Sequence, residues 1–210
     1  MHSSIDVSIY LSFFQLAWLI FSLTFAIKII DFRRSAWVFY FLATFIGFIS
    51  FSVFNNPSIS NIFNNLMIFF PDLALPILAI IIANKSNISP KKITSDSILQ
   101  ASIIIILTVI LMLFFTYINL AIAPTYNILM LISDFFGILV YVGSVLLAFG
   151  YISGLLLNAI SSIQMACMNI YFSISFNFYS STLYVTVAIN ILCFTIFIYG
   201  YNKNKKLLSH

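Results

Sequence analysis

The chain has no glutamate, only five aspartates, and no histidine between His2 and His210. Charged side chains make up 7% of 210 residues, against about 25% in a soluble globular domain. A water-soluble fold of this size would lack the polar surface to cover itself, which sets aside soluble enzymes, nucleic-acid binders and disordered chains. The two cysteines, Cys167 and Cys193, stand apart in apolar stretches, so neither a CxxC redox pair nor a disulfide framework is available, and both are expected as small buried packing residues. With the histidines at the two chain ends, no intramembrane imidazole can ligate haem or copper, and no cofactor or metal is expected.

What the sequence has is apolar length. Hydrophobic residues account for 62% and aromatic ones for 18%. The first thirty residues do not read as a secretory leader, because MHSSID carries no Lys or Arg, and basic residues follow the apolar run instead of preceding it. All nine Lys and Arg fall in three short segments, Lys28 to Arg34, Lys85 to Lys92 and Lys203 to Lys206. Cytoplasmic loops gather such residues, so the net charge of +4 reads as a topology signal, with all three segments on one side and an even number of crossings between each pair. A crossing needs about 20 apolar residues.

Two crossings fit residues 35 to 84, divided at Asn55-Asn56-Pro57-Ser58, four fit residues 97 to 202, and one precedes Lys28. The predicted fold is all-α: a single polytopic domain over residues 1 to 210 with seven transmembrane helices, N-terminus outside and C-terminus inside. The spans are 7–28, 36–54, 62–84, 97–120, 128–156, 160–177 and 182–201, with the fifth and sixth joined by a turn at Asn158 to Ser162. Trp18 and Trp37 are expected as interface anchors. The N-x-S sequons at Asn84 and Asn87 fall in a basic loop, on the side where no glycan is attached, and read as coincidental. Spans one to three and five to seven run in the same direction with the fourth as inverter, and Ser12-Phe13-Phe14 loosely echo Asp134-Phe135-Phe136; two such units would be parallel repeats.

Within the spans two residues are expensive. Asp72 is the only acid or base between Ser35 and Asn84, and Asp134 the only one between Ser97 and Asn202. A carboxylate at the bilayer centre costs about 2.5–3.5 kcal/mol on the lenient insertion scale, so both should face the bundle interior or water. Asp72 lies near the midplane in Phe69-Phe70-Pro71-Asp72-Leu73-Ala74-Leu75-Pro76. Pro71 and Pro76 each remove a backbone donor, which predicts a kink or break there, with Asp72 in the first turn of a second half-helix. Such a site suits a proton or cation; the structural alternative is a protonated acid satisfying its neighbours. Asp134 is expected nearer the outer interface, partly solvated.

Gln15, Asn119, Gln164, Asn169 and Asn190 are amides that glue helices or, less often, line a pathway; Gln164 and Asn190 join the two aspartates as binding candidates. Gly150 and Gly154 form a GxxxG pair, with Gly143 on nearly the same face, and predict close helix packing.

The seven-span layout resembles that of microbial rhodopsins, but Leu183 to Tyr201 contains no lysine for a retinal Schiff base. Layout and size also resemble small sugar and amino-acid transporters built as three plus one plus three helices, without their proline-glutamine turn. Arg33-Arg34-Ser35-Ala36 and Ala74-Leu75-Pro76, within the first 100 residues, resemble the seven-span sensor domains of bacterial regulators. Asp134-Phe135-Phe136 followed by Val140-Tyr141-Val142-Gly143 resembles a stretch of the J-type membrane subunit of respiratory complex I.

With no buried His, no Glu and no basic phosphate cluster, no covalent chemistry is expected. The leading expectation is a non-enzymatic sensor-like binding module or accessory subunit. Its partners would be the lipid bilayer and other membrane subunits, with no nucleic acid. The alternative is a small secondary carrier using Asp72 as a midplane proton or cation site.

Overall fold

The computed structural model describes residues 2–54, 59–85, 89–122, 128–176 and 181–209. These form seven helices: α1 (His2–Ile29), α2 (Ser35–Phe54), α3 (Ile59–Lys85), α4 (Ile98–Ile122), α5 (Ile128–Ala148), α6 (Ser153–Phe176) and α7 (Ser181–Leu207). At about 1.5 Å per residue, even the shortest, the 20 residues of α2, reaches about 30 Å, the thickness of a bilayer's hydrocarbon. The chain is a seven-helix multi-pass membrane protein.

The helices group as two triplets. α1 packs on α2 and α2 on α3; α5 packs on α6 and α6 on α7; the triplets meet where α1 touches α7 and α3 touches α5, while α4 lies outside against α5 and α3. Apolar side chains have no water to escape from in lipid, so small residues that let backbones approach dominate the contacts. Ala26, Ala36, Ala79 and Ala159 are at most 1% exposed in a core that also holds Phe25, Trp37, Leu147, Leu155 and Phe197. The outward face of α4, including Ile103, Ile106, Leu107, Ile110 and Leu111, is exposed, as a lipid-facing helix should be.

The turn between α5 and α6 is not at Asn158 to Ser162. α5 ends at Ala148, and Gly150, with φ 87°, donates to Leu147 O (2.9 Å) while Tyr151 donates to Leu146 O (2.9 Å). This left-handed cap needs no side chain to bear the strain, and only glycine takes such a φ freely, which is why the chain turns there. Gly150 and Gly154 are therefore not one span's GxxxG. Gly154 opens α6 and meets Gly143 of α5 across the hairpin: a Cβ on Gly154 would collide with Gly143 O and lie 2.7 Å from Leu147 Cγ, and one on Gly143 would lie 2.6 Å from Asn158 Nδ2. The packing is intramolecular.

α1 ends by the same device. Phe32, a non-glycine residue at φ 53°, donates to Ile29 O (2.9 Å), and Arg33 donates to Lys28 O (3.3 Å). Phe32 tolerates αL because its ring is buried in the core, at 8% exposure.

The three basic segments gather at one end of the bundle. Lys203 Nζ lies 2.7 Å from Asp31 Oδ1, Asn204 Nδ2 donates to Ile30 O (2.8 Å), and Lys92 Nζ donates to Leu208 O (3.3 Å). Lys91 forms a short parallel bridge with the α5–α6 turn, donating to Gly150 O (2.9 Å) and accepting from Ile152 N (3.1 Å), and its ammonium sits 4.3 Å from the centre of the Tyr151 ring. Tyr151 is fully buried, and its hydroxyl donates to Gln100 Oε1 (2.9 Å).

Candidate functional site

Asp72 is the middle residue of α3, which runs unbroken through both prolines. The expected break, with Asp72 starting a half-helix, is therefore absent: neighbouring helices hold the ladder together around the missing donors. Pro76 stands four residues after Asp72, so the backbone carbonyl of Asp72 lacks its intrahelical N–H partner. Carboxylate and freed carbonyl make this the most acceptor-rich point of the helix.

The carboxylate borders a central cavity of about 520 Å³ to which every helix contributes, α4 through Met112. Among the described residues lining it, Asp72 is the only carboxylic acid, and there is no Lys, Arg or His. Tyr141 of α5 donates its phenolic hydrogen to Asp72 Oδ1, and Tyr40 of α2 lines the same cavity. Trp18, Phe25 and Phe197 add further aromatic wall. Lining amides and hydroxyls come mainly from α6 (Asn158, Ser161, Ser162, Gln164) and α7 (Asn190). Asn158 Nδ2 donates to Gly154 O (2.9 Å) and Asn190 Nδ2 to Thr186 O (2.9 Å), each back to its own helix. Gln164 Nε2 is buried without a hydrogen-bond partner. A buried orphan donor marks a place where a ligand can supply the missing acceptor.

Asp72, Gln164 and Asn190 thus come together at one cavity. Asp134 lies on α5 seven residues upstream of Tyr141, but its side chain falls outside the described residues. The side chain of Asn119 and the whole of Asn87 fall outside them too. Gln15 ties α1 to α7 through Thr186 Oγ1 (3.2 Å), and Asn169 turns back to Met165 O (2.8 Å), so these two act within the scaffold. Neither tryptophan is an interface anchor: Trp18 lines the cavity, and Trp37 is 2% exposed, packed between Phe25 and Tyr40. Cys193 is buried and borders the cavity as a packing residue, whereas Cys167 faces outward.

The residues missed from sequence are Tyr40, Tyr141 and Asn158. Tyr40 and Tyr141 are two among 35 Phe and Tyr residues, and nothing local sets a lining phenol apart from bulk. Hydropathy alone puts Asn158 in a turn; the positive φ at Gly150, eight residues earlier, is the signal that puts it in a span.

No protein-family model matches the sequence, and no curated protein matches it. Among solved structures, the chain is similar to a crystal structure of the vitamin B3 transporter PnuC. The TM-score is 0.66 at 12% identity, covering 94% of this chain and 83% of the other. At that identity the likeness is one of fold, and it supports the seven-helix, multi-pass membrane arrangement described above.

Proposed function

We propose that the protein is a small carrier whose central cavity takes a ring-bearing organic cation, with Asp72 as the site for its positive charge. The observation that carries this reading is a single carboxylate, unaccompanied by any basic residue among the described lining, on the wall of an otherwise aromatic and neutral cavity. An ionised acid there costs several kcal/mol unless a cation or hydrogen bonds compensate, and a solute that brings the cation supplies its own binding energy. Trp18, Phe25 and Tyr40 line the same space, and a cation over the face of a lining ring gains about 0.5–2 kcal/mol of cation–π attraction. Gln164 offers a donor to a carbonyl on the same solute. The volume falls in the range of small-molecule sites, about 300–1,000 Å³.

The fold shared with a vitamin B3 transporter supports the carrier over a sensor-like module or accessory subunit. In this reading the basic end faces the cytoplasm, with the N-terminus outside and the C-terminus inside.

The test is equilibrium titration of the purified protein with 1-methylnicotinamide, a fixed pyridinium cation, and with nicotinamide, its neutral parent. Trp18 fluorescence is the reporter, and a Trp18→Phe variant retaining Trp37 is the control. The carrier reading expects the cation to bind at least tenfold tighter, about 1.4 kcal/mol, and the preference to vanish in Asp72→Asn. Equal affinity for both compounds, or no binding of either, would overturn it.

A further inference from the structure

Phe32 and Gly150 occupy the same place in two identical helix ends. Each has positive φ, each donates to the carbonyl three residues back, and in each case the next residue donates to the carbonyl five back. The same number of positions separates Ser35 from Ser153, where α2 and α6 begin, and the buried Ala36 from Gly154. Helix neighbours repeat as well: exchanging the triplets turns the α1/α7 seam into the α5/α3 seam. This register pairs Asp134 with Leu16, so the sequence echo at Ser12 is out of step by about a turn.

Carried into the cavity, the same spacing pairs Tyr40 with Asn158, Thr44 with Ser162, and Asp72 with Asn190, and all six line it. On the faces around the third pair the burial pattern agrees, since Leu75 and Ala79 of α3 match the buried Cys193 and Phe197 of α7. The two triplets thus present corresponding walls to one space, differing in charge at a single position.

We infer that Asn190 is the counterpart of Asp72 across an internal two-fold axis and holds the other side of the same ligand, so that it determines specificity together with Asp72. This rests on the carrier reading. The acid sits on α3 by choice of sequence; the fold offers an equivalent seat on α7. Asn and Asp have the same shape, so the charge can be moved without changing volume. Asp72→Asn still presents an oxygen to the Tyr141 hydroxyl, and Asn190→Asp gives up only a bond to Thr186 O, a carbonyl whose helical partner is the backbone N–H of Asn190 itself.

The experiment measures 1-methylnicotinamide binding to wild type, Asp72→Asn and the exchange Asp72→Asn/Asn190→Asp, each checked for a monodisperse, cooperatively melting protein. Asp72→Asn should lose at least tenfold in affinity, and the exchange should recover to within threefold of wild type. Recovery that fails in a folded double variant overturns the two-fold assignment and leaves the carrier site standing. Wild-type affinity in Asp72→Asn alone overturns the carrier site itself. Should the double variant not fold, Asn190→Asp alone decides: a second carboxylate facing the same cation should tighten binding at least threefold, and unchanged or weaker binding counts against the assignment.

Discussion

The Tyr141 hydroxyl on α5 donates to the Asp72 carboxylate on α3, joining the two triplets at the wall of the central cavity. Tyr141→Phe leaves a buried acceptor one donor short, which costs about 1–3 kcal/mol. A double-mutant cycle with Asp72→Ala, which removes the acceptor, read by thermal melting in detergent, should give a coupling of about 1–2 kcal/mol. A coupling near zero would mean that the pair contributes nothing to joining α3 and α5.

The α5–α6 hairpin depends on the absence of side chains at its crossing. A methyl group on Gly154 would strike the backbone carbonyl of Gly143, which cannot swing aside as a side chain could. Gly154→Ala should lower stability by about 1–3 kcal/mol. Gly137→Ala, on the same helix as Gly143 but with nothing within 4 Å of its added carbon, should leave the melting temperature unchanged or slightly raised.

The hairpin also marks where the sequence is legible and where it is not. Seven apolar blocks and three cationic punctuation marks suffice for the number of helices, because lipid forbids any other way of thread-through. Asp72 is legible for the same reason: a lone carboxylate among apolar residues has nowhere to go but inward. The α5–α6 boundary is illegible from hydropathy, since Gly150 to Ser162 is apolar enough to belong to either helix, and only the αL cap decides. The hydrogen-bond partner of Asp72, Tyr141, lies 69 positions away, and no local pattern announces it.

At the basic end, Asn204 and Lys203 test two kinds of polar contact side by side. Asn204 is 3% exposed, and its Nδ2 serves both Ile30 O and Gly200 O at 2.8 Å. Asn204→Ala should cost about 2 kcal/mol through the unsatisfied carbonyl of the α1 end. Lys203, whose charge is favoured by Asp31 beside it, lies in the open, and water screens the pair. Lys203→Ala should therefore shift the melt far less than Asn204→Ala, and adding salt should shrink even that difference from wild type.

Cys193 supplies a native probe of the cavity. It borders the space one turn from Asn190, whereas Cys167 faces outward. In a Cys167→Ser background, a small methanethiosulfonate reagent should modify Cys193, and saturating 1-methylnicotinamide should slow the modification several-fold. Equal rates with and without the cation would separate the thiol from the ligand's space.

The most direct measurement is uptake. Reconstituted into proteoliposomes, the wild-type protein should accumulate labelled 1-methylnicotinamide by counterflow, while Asp72→Asn, folded and inserted to the same extent, should fall to the level of empty vesicles. Uptake that survives the loss of this one carboxylate undiminished would contradict the account.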